Sequence, residues 1–195
     1  MNRPNPDLRR REIIREAERV LRDYGGEELG ADLHGIAEWK NIFVQGKPPE
    51  ADGVSGMLLR SGDDFGIIYG THIKGPGFQR FSIAHELGHF FLPGHYQALI
   101  GDGDGAHVSQ AEFRSANVYE READYFASGL LMPSGPFTRE LNRMEDGLDA
   151  VLALADRCVT SRTATAIRYA DLTKGAVAVI VTRDDVIDFA FLSER

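Results

Sequence analysis

A chain of 195 residues, 43% hydrophobic and 27% charged, has the make-up of an ordinary folded protein large enough to bury a real core. Its net charge of −8 argues against general nucleic-acid binding, which needs a basic surface, and a single cysteine, Cys158, excludes an internal disulfide. No apolar run near the first residues reads as a signal peptide and none approaches a membrane span, so a cytoplasmic location without membrane attachment is expected.

The chain opens with an amphipathic pattern at about 7–23. Ile13, Ile14, Ala17, Val20 and Leu21 form its apolar stripe, and Arg3, Arg9, Arg10, Arg11, Arg15, Arg19 and Arg22 dominate the rest, interleaved with Glu12, Glu16 and Glu18. A packed helix with a solvated basic face is expected; a docking surface for an acidic partner is the alternative. A short helix near 31–39 and strands near 42–45, 54–60 and 65–70 follow, with Gly62-Asp63-Asp64 as the hairpin turn between the last two.

Residues 79–92 set Phe81, Ile83, Ala84, Leu87, Phe90 and Phe91 around His85-Glu86-Leu87-Gly88-His89. The segment reads as a buried helix that starts after Gly75-Pro76-Gly77 and is stopped by Pro93-Gly94. On a helix, His85 and His89 lie on one face, close enough to share one zinc ion, and Glu86 is turned about 100° toward a bound water. That is the layout of a zinc hydrolase. Gly88 costs about 1 kcal/mol of helix stability relative to Ala, which is tolerable if something packs closely there. The bland alternative, two hydrogen-bonded core histidines, gives the neighbouring Glu86 no reason to be buried.

Catalytic zinc usually has three protein ligands and an open position. Residues 96–110, with Gly101, Gly103 and Gly105 between aspartates, read as a flexible acidic loop bordering the cleft. Beyond it, residues 118–133 form a second apolar-striped helix on which Glu120 and Asp124, four apart, share a face. Glu120 is therefore the expected third ligand, and Asp124 the acceptor for the outer N–H of a ligating histidine. Glu122 faces away from Asp124 and is the weaker carboxylate. His95, six residues past His89, is the competing ligand on metzincin-like spacing, but Leu92 stands where that pattern demands Gly.

After Pro136, helices are expected near 136–144, 148–157 and 161–171. Val159-Thr160-Ser161 resembles the turn of a helix-turn-helix, with Arg162, Thr163, Thr165 and Arg168 beyond it, so a DNA-binding regulator using residues 148–171 is an alternative reading; overall acidity makes nucleic acid an unexpected partner. Residues 176–182 and 185–192 read as a closing β-hairpin.

Arg80-Phe81, Ala84-His85-Glu86-Leu87-Gly88-His89, and the block Glu120-x-x-Ala123-Asp124-x-Phe126-Ala127 running into Leu130-Leu131-Met132-Pro133 together resemble the ImmA/IrrE-type metallopeptidases of bacteria, phages and mobile elements. That family more often has Asn where this chain has Asp124, a change that preserves hydrogen bonding to a histidine. Residues 53–59 and 65–69 also look like the two strands that precede the family's zinc helix. The resemblance implies an α+β, zincin-like fold: a small antiparallel or mixed sheet packed on the HExxH helix and a second ligand helix, then a helical extension and a hairpin. The expected division is a metallopeptidase core at 1–135 and an extension at 136–195, packed as one compact unit. The implied activity is that of a cytoplasmic zinc endopeptidase that cuts a partner such as a transcriptional repressor or antitoxin-like regulator, in regulatory proteolysis linked to transcription or stress response.

In that reading His85, His89 and Glu120 hold one Zn²⁺, with Mn²⁺ or Fe²⁺ also suited to the ligands. Glu86 moves the proton between water and leaving amine. The oxyanion donor is sought among Tyr69, His72, His95, His107, Tyr119 and Tyr125, His95 first because Pro93-Gly94 could fold it back over the site. An extended substrate is expected to pair with an edge at Phe65–Tyr69 or Met57–Arg60. A zinc-bound module that binds a regulator without cutting it is the non-catalytic alternative.

Overall fold

The computed structural model describes residues 6–48, 54–72, 74–110 and 116–193; Arg3 and Gly53 lie outside them. The chain folds as α+β. Strands β1 (Ile42–Lys47), β2 (Val54–Ser61), β3 (Asp64–Gly70) and β4 (Gly105–Gln110) form one mixed sheet in the order β1-β3-β2-β4. β1 runs parallel to β3, while β2 is antiparallel to both β3 and β4.

Helices α1 (Pro6–Tyr24) and α2 (Leu33–Trp39) precede the sheet, and α3 (Pro76–Phe91) with the short α4 (His95–Leu99) lies between β3 and β4. Then come α5 (Val118–Leu131), α6 (Ser134–Leu141), α7 (Leu148–Cys158), α8 (Arg162–Leu172) and a separate hairpin of β5 (Ala178–Arg183) and β6 (Val186–Leu192). α3 packs on β2 and β3 with one side and on α5 with the other, and α1 covers α5 from beyond. The order of layers is therefore sheet, α3, α5, α1.

That stacking explains why α3 shows little amphipathicity. A helix between two layers has no solvent face over its middle turns, and Ser82 through His89 are all buried. Gly88 is where α5 comes closest: a Cβ there would sit 3.2 Å from the Cα of Ala123 and 3.2 Å from the Cβ of Phe126. The helix propensity lost at Gly88 thus serves close packing of the two helices. One apolar cluster runs from Ile13 and Leu21 through Leu58, Ile67, Leu87 and Phe126 to Leu154, Cys158 and Tyr169, so residues beyond 136 share the core of those before it. Each fully buried Leu or Phe in it contributes about 1.5–3 kcal/mol.

Two expectations change. Residues 96–110 are not a loop throughout: they hold most of α4 and the whole of β4, whose Ala106, His107, Val108 and Ser109 pair with Leu59, Leu58, Met57 and Gly56. The glycines and aspartates before β4 masked a strand whose hydrogen bonds are supplied by β2, a partner almost fifty residues earlier. Because β4 pairs with β2, and β1 with β3, neither Met57–Arg60 nor Phe65–Tyr69 is a free edge. The edges of this sheet, among the described residues, are β1 and β4. No helix in the described residues is long and apolar enough to cross a membrane.

Candidate metal centre

The helical period places His85 and His89 on one face of α3, and the close α3–α5 packing brings the first turn of α5 over them. His85 Nε2 is 3.0 Å from His89 Nε2 and 3.2 Å from Glu120 Oε2, and His89 Nε2 is 3.4 Å from Glu120 Oε1. Ligand atoms of His85, His89 and Glu120 all lie within 4.8 Å of one another, close enough to converge on one ion. Two imidazoles and one carboxylate are a donor set that suits a four-coordinate divalent ion with one open position.

Each histidine is held from behind. Asp124 Oδ1 accepts from His85 Nδ1 at 2.9 Å, leaving Nε2 toward the cluster. His89 is backed by His95, Nδ1 to Nδ1 at 3.3 Å, and His95 Nε2 donates to Glu122 Oε2 at 3.1 Å. Glu122 also accepts two hydrogen bonds from Arg9 of α1, Nε to Oε1 at 2.9 Å and Nη2 to Oε2 at 2.7 Å. Glu122 does face away from Asp124, and that turn brings it to His95. His95 is almost wholly buried against His89 Nδ1, the ring nitrogen that points away from the cluster, and is not among the three clustered residues.

The opposite wall is strand β4. Its residues 107 and 109 share a face, and both meet the site. His107 Nε2 lies 2.8 Å from Glu120 Oε1, with its ring 4.8 Å from that of His89. Ser109 stands near enough to Glu86 for its hydroxyl to favour the charged carboxylate, but not in hydrogen-bonding geometry, and neither that hydroxyl nor either Glu86 carboxylate oxygen has a hydrogen-bond partner of ordinary geometry. Room for Glu86 comes from Gly56, opposite Ser109 on β2, where a Cβ would fall 2.5 Å from Glu86 Oε1. Gly56 is a site residue that the motif does not announce. Its signal is a glycine inside a strand, a mark of close approach.

The electrostatics follow from burial and pairing. Burial pushes the Glu86 carboxyl up to about 7, against the pull of His85. Burial also pushes His89 down to about 4. For His85 burial acts in the same downward direction, yet the hydrogen bonds it donates to Asp124 and Glu120 outweigh it and hold the imidazolium up to about 10. Burial opposes the charge on Glu120 as well, but hydrogen bonds donated by His107 and His85 keep its pKa far below the usual carboxylate range. The cluster thus favours positive charge: it holds a proton on His85 where a cation would satisfy the same carboxylates. Burial keeps His95 neutral, its pKa lowered despite Glu122.

The other candidates lie elsewhere in the fold. Tyr125 lies beneath the Arg10 guanidinium, Tyr69 packs beside Gly46 of β1, His72 packs beside Gly70, and the Tyr119 ring stands edge-on to His95.

The family described as the IrrE N-terminal-like domain, peptidase M78, matches residues 39–169. The chain belongs to that family. Its matched stretch holds all three clustered ligands, Glu86, Asp124, His95, Glu122 and the whole of β4, whereas Arg9 and α1 lie before it. No curated protein matches the sequence. Among solved structures, a Mycobacterium tuberculosis transcriptional regulator is similar at 17% identity and a TM-score of 0.64, over 97% of this chain and 58% of that one. The likeness is one of fold, and this chain spans little more than half of that regulator's length.

Within this peptidase M78 fold, α7 and α8 do meet through a tight turn, with Val159 at φ +51°. The side chains named for DNA contact are divided, however. Thr165 and Arg168 are buried, the latter donating to the Met132 carbonyl at 3.0 Å and the Ser134 hydroxyl at 2.9 Å.

Proposed function

We propose that this chain is a zinc-dependent endopeptidase that cuts a dedicated partner in the cytoplasm, such as a helix-turn-helix transcriptional repressor. One observation carries the reading: Glu86 is fully buried, without a hydrogen-bond partner for either oxygen, beside a converging His85–His89–Glu120 cluster. A core with no function for that carboxylate would leave it unpaired at a cost of about 1–3 kcal/mol or more. Membership of a peptidase family supports the same conclusion.

Held by His85, His89 and Glu120, zinc would supply Lewis-acid polarisation of the scissile carbonyl and a bound water whose pKa is lowered toward about 7. Mn²⁺ and Fe²⁺ suit the same donors. Glu86 takes a proton from the attacking water and returns it to the leaving nitrogen. His107 takes the oxyanion role first sought at His95, because it stands on the strand side of the cluster and its Nε2 N–H, donated to Glu120 Oε1 at 2.8 Å, would be released to an oxyanion once Glu120 binds the ion, while His95 is turned outward behind His89. An extended substrate segment pairs with the open edge of β4, which carries His107 and Ser109 to the site. The choice of β4 replaces the two interior strands considered from the sequence.

The test is metal stoichiometry by native mass spectrometry beside cleavage of a candidate repressor. The wild type should carry one zinc and cut, Glu86→Gln should keep the ion without cutting, and Glu120→Ala should lose the ion. If Glu86→Gln cuts as fast as wild type, the endopeptidase reading fails. If Glu86→Gln preserves regulation in cells, the zinc-bound module that only binds its partner takes its place.

A further inference from the structure

The support behind His85 is a single carboxylate, whereas the support behind His89 is a chain of three residues that ends on a different helix. Asp124, whose side chain is 32% exposed, accepts directly from His85. Behind His89 stand His95, then Glu122 at 12% side-chain exposure, then Arg9 of α1. Each bond in this series dictates the direction of the next. A guanidinium has donors only, and an ionised carboxylate has acceptors only. Glu122 must therefore accept from Arg9 and from His95 Nε2. With its proton on Nε2, neutral His95 offers a bare Nδ1, and His89 Nδ1 donates to it. His89 Nε2 is then left without a proton, 3.4 Å from Glu120 Oε1 and inside the ligand cluster.

We propose that Arg9, Glu122 and His95 are positioning residues that fix the tautomer and orientation of His89, so that helix α1, which precedes the family-matched stretch, sets the metal affinity of the centre. The inference rests on the reading of His85, His89 and Glu120 as metal ligands. The geometry distinguishes it from simple helix packing. Arg9 makes a two-pronged bond to Glu122, the pairing that most restricts carboxylate orientation, and an apolar α1–α5 contact would need none of these groups. It also accounts for a buried acid and a buried imidazole that neither the ligand set nor the proton transfer uses.

The experiment measures the Zn²⁺ and Co²⁺ affinity of the full chain by competition with a chromophoric chelator, together with the visible spectrum of the Co²⁺ form. Circular dichroism verifies folding at the working temperature. Outer partners of ligating histidines typically contribute about 10–100-fold in metal affinity. Glu122→Gln, which keeps shape but puts an N–H where an acceptor is required, should weaken binding by that order and shift the Co²⁺ spectrum. Arg9→Gln, at the half-exposed end of the series, should weaken it less and in the same direction. The double variant should be no weaker than Glu122→Gln by itself, because both changes break one series. Unchanged affinity and spectrum in folded Glu122→Gln and Arg9→Gln, with binding still abolished by Glu120→Ala, would overturn the proposal and leave the metal site standing. A wild type whose binding is indifferent to Glu120→Ala would overturn the site and the proposal together.

Discussion

Around α3, between the sheet and α5, the buried residues include Glu86, His85, His89, His95 and Glu122; along α7 they are Ala150, Val151, Leu154, Ala155 and Cys158, with Thr165 and Arg168 of α8 as polar exceptions. Those two exceptions are provided for. Arg168 donates to a carbonyl and a hydroxyl, and Thr165 donates to the Ser161 carbonyl at 2.9 Å. Glu86 is not, since both its oxygens lack a partner. Burial of polar groups in the α7–α8 pair completes the fold, whereas on the sheet side of α3 it leaves one carboxylate without a partner, at a cost in stability that the surrounding apolar core offsets; that carboxylate is the group the proposed function uses.

Substitutions should separate the two regions. The largest effect is expected for Glu86→Gln, where cleavage should fall by about 10²–10⁴-fold, equivalent to about 3–5 kcal/mol, with no loss of unfolding free energy. Single-turnover cleavage beside urea titration checks both halves. Leu154→Ala, in the fully buried centre of α7, should do the reverse: about 2–5 kcal/mol less stable in the same titration, with metal affinity unchanged below the transition. Should Leu154→Ala weaken metal binding while folded, the two regions are coupled and the contrast collapses.

Smaller changes sharpen the boundary. Asp124→Ala removes the acceptor behind His85 and is expected to weaken metal binding about 10–100-fold in chelator competition, with little effect on folding because the side chain is partly exposed. Ser161→Ala removes the cap that accepts from the Ala164 N–H at 3.1 Å and should cost about 1 kcal/mol without touching the centre. A matching loss of metal affinity in Ser161→Ala would tie the α7–α8 turn to the site.

The sequence made some of this legible and left other parts dark for physical reasons. The α1 stripe was readable because Ile13, Ala17, Val20 and Leu21 follow the helical period, and all four are buried. Its basic face is less idle than expected, for Arg9 pairs with Glu122 and Arg10 with Asp171. β4 was hidden because its identity as a strand depends on β2, and with it went the correct sheet edge. His95 was named as a site residue for the way the chain could fold back after Pro93-Gly94; the chain does turn there, but α4 carries the imidazole to the outer side of His89.

What the sequence by itself determined are relations set by the helical repeat. His85 with His89, and Glu120 with Asp124, are four residues apart, and any helix puts such pairs on one face. The tertiary structure decided everything that joins distant segments: the approach of α5 at Gly88, the pocket that Gly56 opens for Glu86, the edge strand carrying His107, and the bond between Arg9 and Glu122 across 113 residues of chain. Helical geometry is local and repeats with a fixed period. Contacts between layers depend on the shape and volume of every side chain in the core, and no spacing in the chain encodes them one pair at a time.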